Sequence, residues 1–185
     1  WVSIPSTELQ SHYAIGRTPI SNAERTITTT EVVRALELAK ASHMAADHYL
    51  ASAVPLGFEL DDSTEWVQNP INLSANSMTA HYQLMMMPIS TMQNLDRAMK
   101  GANISVEKMV VSCLATAEGS LLKDEKEYGV CLVDIGAGTT NIAVYLDGRL
   151  ALSQTLQRGG EHVTRDIAAV LQTTTEEAER IKLLY

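Results

Sequence analysis

The sequence predicts an α/β protein, and three observations carry that prediction. An apolar run, Val130 to Val133, ends in Asp134 and passes through a glycine-rich turn into a second apolar run, Ile142 to Leu146. Capping-type stretches at Thr28 and at Thr173 to Glu176 precede apolar residues at helical spacing. Apolar or alternating stretches bounded by Gly and Pro read as strands.

Taken in order, His12 to Ile20 reads as a strand, interrupted at Gly16 and closed by Pro19. A polar linker follows from Ser21 to Glu24. Thr28 and Glu31 form a capping-box pattern, and Val32, Val33, Leu36 and Ala39 recur at helical spacing, so a helix is expected to about Ser42. Tyr49 to Asp61 is strand-like, and Pro55 and Gly57 predict an edge or bulged strand. Asp61 to Ser77 is polar, with a turn at Asn69 and Pro70. Met78 to Met87 is a third strand, with Met78, Ala80, Tyr82, Leu84 and Met86 on one face and Thr79, His81 and Gln83 on the other. This first part is therefore a strand-helix-strand-strand unit. No chemical site is visible in it, and its expected role is protein contact.

Past Pro88, Ser90 or Thr91 is expected to cap a helix carrying Met92, Leu95, Ala98 and Met99 and ending at Gly101. Val106 to Cys113 reads as a strand, Leu114 to Lys123 as a short helix, and Asp124 to Glu127 as a solvated connector. Leu146 to Arg149 reads as a hairpin turn, since Asp-Gly tolerates the φ angles such turns need. Leu150 to Leu156 is a further strand. Arg158 to Glu161 then leads into a helix with Val163, Ile167, Val170 and Leu171 on one face. A last helix opens at Thr173 to Glu176 and carries Ala178 and Ile181. Glu179 and Lys182 sit three apart on it, ordinarily a surface ion pair of little worth.

Composition narrows the function. The 185 residues are 45% hydrophobic and carry a net charge of −8 without a basic cluster, which argues against nucleic acid as a partner. The two cysteines, Cys113 and Cys131, lie in apolar strand-like runs and are expected to be buried and reduced. Met85, Met86 and Met87 cannot converge on one metal, because adjacent strand residues face opposite sides. The five histidines are scattered, with no ligand spacing. No stretch is long enough to span a bilayer and there is no signal peptide. The chain starts at Trp1 and stops inside a helical pattern, so a fragment of a longer protein is expected.

The glycine stretch carries the chemistry. Asp134-Ile135-Gly136-Ala137-Gly138-Thr139-Thr140 is followed by a strand, which excludes the Walker and dinucleotide loops that feed helices. Glycines let backbone N–H groups approach an anion closely, and the Thr139 and Thr140 hydroxyls add donors. Asp134 can hold waters around a magnesium ion. On its own the stretch fits a plain hairpin equally well. Gly159 and Gly160 at a helix N-terminus are a second candidate anion contact, with a simple loop-to-helix joint as the alternative.

Together these segments resemble the actin-like (ribonuclease-H-like) ATPase superfamily. Asp134 to Thr139 resembles its second phosphate motif, Gly159 and Gly160 the loop after the hairpin, and Glu179 and Lys182 the helix residues that contact the adenosine. Within the superfamily the resemblance is to the FtsA family. It is carried by 129–145, by Asn69 to Ser74, by Val163 to Ala168, and by the strand-helix-strand-strand order of that family's inserted subdomain. The resemblance implies three parts: 1–87, mostly the inserted subdomain; 88–128, part of the first actin-like subdomain; and 129–185, the start of the second. It implies ATP and magnesium as cofactors, with Asp134, Gly136, Ala137, Gly138, Thr139, Thr140, Gly159, Gly160, Glu179 and Lys182 at the nucleotide and Asp134 reaching magnesium through water. No residue is assigned as a general base, so a nucleotide switch is expected rather than metabolic catalysis.

The same resemblance implies filaments, tethering of FtsZ at the cytoplasmic face of the inner membrane at the division site, and recruitment of later division proteins such as FtsN. Alternatives are a PilM-like type IV pilus scaffold and a small-molecule kinase of the superfamily. Ala137 stands where many relatives have glycine, and Asn141 where many have Asp. The family's first phosphate motif, its glycine-rich adenosine motif and its membrane helix are not found in these residues.

Overall fold

The computed structural model describes residues 1–4 and 8–185. Its first elements are β1 (Val2–Ile4), β2 (Gln10–Pro19), α1 (Thr29–Ala41), β3 (His48–Leu60), β4 (Trp66–Val67) and β5 (Ser77–Pro88). Then come α2 (Ile89–Gly101), β6 (Met109–Val111), α3 (Ser112–Ser120) and α4 (Lys123–Tyr128). The chain continues with β7 (Val130–Ile135), β8 (Thr140–Leu146), β9 (Arg149–Leu156), α5 (Gly160–Leu171) and α6 (Thr175–Leu184). Three sheets result: a parallel pair β1-β6, a four-stranded antiparallel sheet in the order β2-β5-β3-β4, and a three-stranded antiparallel sheet β7-β8-β9. No helix of the described residues is long and apolar enough to cross a membrane.

The capping box forms as the sequence predicts. The Thr28 N–H donates to the Glu31 carboxylate at 2.8 Å, and the Thr28 hydroxyl accepts from the Thr30 N–H at 3.2 Å. Helix α1 then lies directly on β2. A Cβ at Gly16 would sit 1.8 Å from the Ala35 carbonyl oxygen, so only glycine permits this approach. Ala35 and Ala39 are fully buried at the contact.

Strand β5 lies between β2 and β3 and joins separate cores. Met78, Ala80, Tyr82 and Leu84 pack with Ala35, Ala39 and Phe58 under α1. Met85 faces the other way, into a core with Val111, Cys113, Ala117, Ala143, Tyr145 and Leu150. Met87 packs with Ile4 and Met92. The alternation of the sequence predicts one apolar and one polar face, yet His81 and Gln83 are buried too. The reason is position: a central strand covered on both faces buries whatever it carries. Strand β3 is irregular where Pro55 and Gly57 predict it, with register shifts at Leu50/Ser52 and Pro55/Gly57. It is not the edge, because the two-residue β4, inside the stretch expected to be polar loop, pairs with its end.

Other expectations are corrected. Helix α2 starts directly after Pro88, so neither Ser90 nor Thr91 caps it; the Thr91 hydroxyl instead contacts the Glu8 carboxylate. Strand β6 is three residues long, and Cys113 belongs to α3. The expected connector at Asp124 to Glu127 is helix α4, because the Leu122 N–H is held by the Glu125 carboxylate at 2.7 Å and nucleates a turn. Strand β7 is not a buried run. Its residues alternate between half-buried and exposed, so Cys131 is exposed while Cys113 is buried. The hairpin after β8 is tight, with φ of 52° at Asp147 and 71° at Gly148.

Candidate functional site

Asp134 lies near the end of β7, and the turn that follows is closed by the Gly136 N–H donating to the Thr139 carbonyl at 2.8 Å. Ala137 has no positive φ, so alanine fits there without strain. Helix α5 docks end-on against this turn. The N–H groups of Gly160 and Glu161 donate to the carbonyls of Gly136 and Ala137 at 2.9 and 2.8 Å. A Cβ at Gly159 would lie 2.4 Å from the Gly136 oxygen and 2.5 Å from that of Ala137. Gly159 thus serves a close backbone approach, and the N–H groups of Gly160 and Glu161 at the start of α5 are engaged with the turn.

The turn and the helix pair α5–α6 line an open cavity of about 630 Å³. Gly136 and Ala137 form one side, Gly160 and Thr164 another, and Glu179 and Lys182 from α6 the third. Lys182 Nζ donates to Glu179 at 2.7 Å, to the Thr164 hydroxyl at 2.9 Å and to the Gly160 carbonyl at 3.2 Å. The Thr164 hydroxyl in turn donates to Glu179 at 2.5 Å. Lys182 and then Thr164 hold the Glu179 carboxyl below its usual range. The result is a side-by-side cation and carboxylate on a cavity wall: the three ammonium protons are engaged within the protein, and the carboxylate keeps acceptor capacity for one polar ligand group.

Of the sequence-predicted residues, Gly136, Ala137, Gly160, Glu179 and Lys182 meet at this cavity, whereas Asp134, Gly138, Thr139, Thr140 and Gly159 do not line it. The Thr140 hydroxyl donates to the Arg158 carbonyl at 2.8 Å, and Asp134 accepts from Thr116 of α3 at 3.2 Å. Asn141 is buried and accepts from the Thr155 hydroxyl at 3.0 Å. A Cβ at Gly138 would meet nothing within 4 Å, so the fold leaves open space there. Thr164 and Thr116 escaped the sequence reading. Thr164 sits four residues after Gly160, the spacing that returns a side chain to the same helix face, and was the one available signal. No group of three His, Cys, Asp or Glu able to hold a metal occurs among the described residues. The Asp134 carboxylate accepts a hydrogen bond from Thr116 and keeps acceptor capacity for water bound to a cation.

Two family profiles match. The profile "Cell division protein FtsA" covers residues 131–185, and "SHS2 domain inserted in FTSA" covers 6–86. Cell division protein FtsA of Pseudomonas aeruginosa is 32% identical over 162 residues, 88% of this chain and 39% of that protein. The chain belongs to the FtsA family. FtsA of Escherichia coli K12 is 31% identical over 185 residues, all of this chain and 43% of that one. FtsA of Buchnera aphidicola subsp. Baizongia pistaciae is 33% identical over the same length, again 43% of that protein. The chain thus spans about two fifths of the length of these FtsA relatives. Among solved structures, a chain of the PilM-PilN type IV pilus biogenesis complex matches with a TM-score of 0.67 and 16% identity. That match covers 95% of this chain and 47% of that one. It is a likeness of fold, and the fold is the actin-like α/β fold with the inserted subdomain of FtsA.

Proposed function

We propose that this chain is part of an actin-like division protein that binds ATP with magnesium, polymerises, and tethers FtsZ to the cytoplasmic face of the inner membrane. In this reading 1–87 is mostly the inserted subdomain, serving filament contacts and recruitment of later division proteins such as FtsN. Residues 88–128 belong to the first actin-like subdomain, and 129–185 open the second. The observation that supports the reading is the convergence of the glycine turn, the α5 terminus and the Glu179–Lys182 pair on one cavity. Ala137 and Gly138 would offer backbone N–H groups to the phosphates and Thr139 its hydroxyl, while Gly136 and Thr140, whose N–H and hydroxyl are bonded to the Thr139 and Arg158 carbonyls, would shape the turn. Glu179 and Lys182 would hold the nucleoside end, and Gly159 and Gly160 would fix the turn against α5. Bound magnesium supplies charge neutralisation at the phosphates; Asp134 would orient its water shell. With no general base assigned, the pocket acts as a switch whose occupancy shifts conformer populations.

The test is ATP affinity of the full-length protein, by calorimetry. Gly138→Ala is expected to fold normally, because its Cβ meets nothing within 4 Å. Gly138→Asp places bulk and negative charge in that space and is expected to weaken ATP by about tenfold or more. Equal affinities for Gly138→Asp and the unaltered protein would overturn the assignment. The fold likeness to PilM supports a pilus-scaffold reading as the second choice. Capture of FtsZ, against capture of a pilus inner-membrane peptide, by the full-length protein separates the two.

A further inference from the structure

A second cavity, of about 620 Å³, lies between the four-stranded sheet and the β8–β9 hairpin, away from the glycine turn. Its size falls within the range of small-molecule sites. One wall is aromatic, formed by Tyr13 and Trp66. The Trp66 ring stacks on His81 with centroids 4.2 Å apart and planes 18° apart. His81 is buried, and its Nδ1 is bonded to the Tyr13 hydroxyl. The wall is therefore held rigid from behind. Leu150 and Leu152 supply the opposing apolar surface.

Arg149 and Gln83 are among the polar residues that line this space. The Arg149 guanidinium lies 5.7 Å from the Trp66 ring centre. Its ion pair with Asp147 is 3.4 Å long, beyond the ~2.8 Å of a good charge-assisted bond, and the Asp147 side chain is 66% exposed. Gln83 is 8% exposed and lines the cavity, yet its amide makes no hydrogen bond to another described residue. The amide is open to the cavity, where it can both donate to and accept from a ligand.

We propose that this cavity binds a small aromatic carboxylate. A flat apolar ring fits between the Trp66 and Tyr13 wall and the leucines, where offset or edge-to-face ring contacts are favourable. The planar guanidinium of Arg149 matches a carboxylate, and Gln83 completes a polar edge of the ligand. The inference is independent of the nucleotide assignment, since the two cavities share no residue.

The experiment is calorimetry on the full-length protein with 2-naphthoate and its neutral amide, 2-naphthamide. The unaltered protein is expected to bind 2-naphthoate more tightly than the amide. Arg149→Met is expected to weaken 2-naphthoate by about tenfold and to leave 2-naphthamide nearly unchanged. Gln83→Leu is expected to weaken both by about tenfold without lowering the melting temperature, since the amide bonds no other described residue. That variant keeps the test open should Arg149→Met unfold. Absence of 2-naphthoate binding by the unaltered protein overturns the proposal, including where further polypeptide fills the cavity. Binding that both variants leave unchanged overturns it as well.

Discussion

From Met78 to Met87, strand β5 has nine buried residues of ten, whereas in the three-stranded sheet β7 has none. The residues themselves do not explain this. Val133 and Ile135 of β7 are as apolar as Met85 and Met87, yet they are 50% and 68% exposed against 0% for both methionines. Strand β5 has a strand on each side, α1 on one face and the Met85 core on the other. Strand β7 is at a sheet edge, and one of its faces is uncovered. Apolar character makes burial favourable; only a covering layer makes it happen.

The largest effect is expected where α1 meets β2. Gly16→Val drives a side chain into the Ala35 carbonyl, which a helix backbone cannot yield. A loss of more than about 4 kcal/mol is expected, read by denaturant unfolding together with amide exchange confined to the four-stranded sheet. A loss below about 1 kcal/mol would show that α1 is not seated as described.

The next test sets the two sheets directly against each other. Met85→Ala should cost about 3 kcal/mol, as expected for a fully buried methionine. Val133→Ala, at a half-exposed position, should cost less than about 1 kcal/mol in this chain. Equal costs in urea titrations would break the comparison.

The smallest effect concerns Glu179. Its carboxyl is held below the usual 4.5 by Lys182 and Thr164. A depressed folded-state pKa contributes stability above the unfolded value, and that contribution is lost as pH falls through the folded value. The window therefore lies below about pH 4.5. Lys182→Met should return the Glu179 titration toward its ordinary position in a carboxyl-carbon NMR experiment. An unmoved titration would mean that the pair is not formed.

Legibility from sequence follows the range of the forces involved. The helix start at Thr28 was readable because Glu31 and Thr30, which satisfy it, lie within three residues. The Asp147-Gly148 hairpin was readable because its φ angles are a local preference. The strand-helix-strand-strand order was readable from periodicity. The boundary between β6 and α3 was not, because Val110 to Leu114, apolar but for Ser112, is a short stretch that strand and helix fit equally. The short α4 was missed because its charged residues resemble a loop. At the candidate site, Glu179 and Lys182 were singled out by the family resemblance, their spacing alone reading as a surface ion pair, and the turn residues by their glycine pattern. Thr164 and Thr116 were not, since the groups they bond lie 15 and 18 residues away.

Sequence alone settled the class of each long element, the caps at Thr28 and Thr174, the Asp147-Gly148 turn, and the family to which the glycine turn belongs. These rest on backbone preferences and hydrogen bonds a few residues apart. Which faces are covered, that His81 and Gln83 are buried, and that Gly159 must touch the carbonyls of Gly136 and Ala137 were settled by packing. Those outcomes join residues distant along the chain, and a covering layer has no signature in the strand it covers.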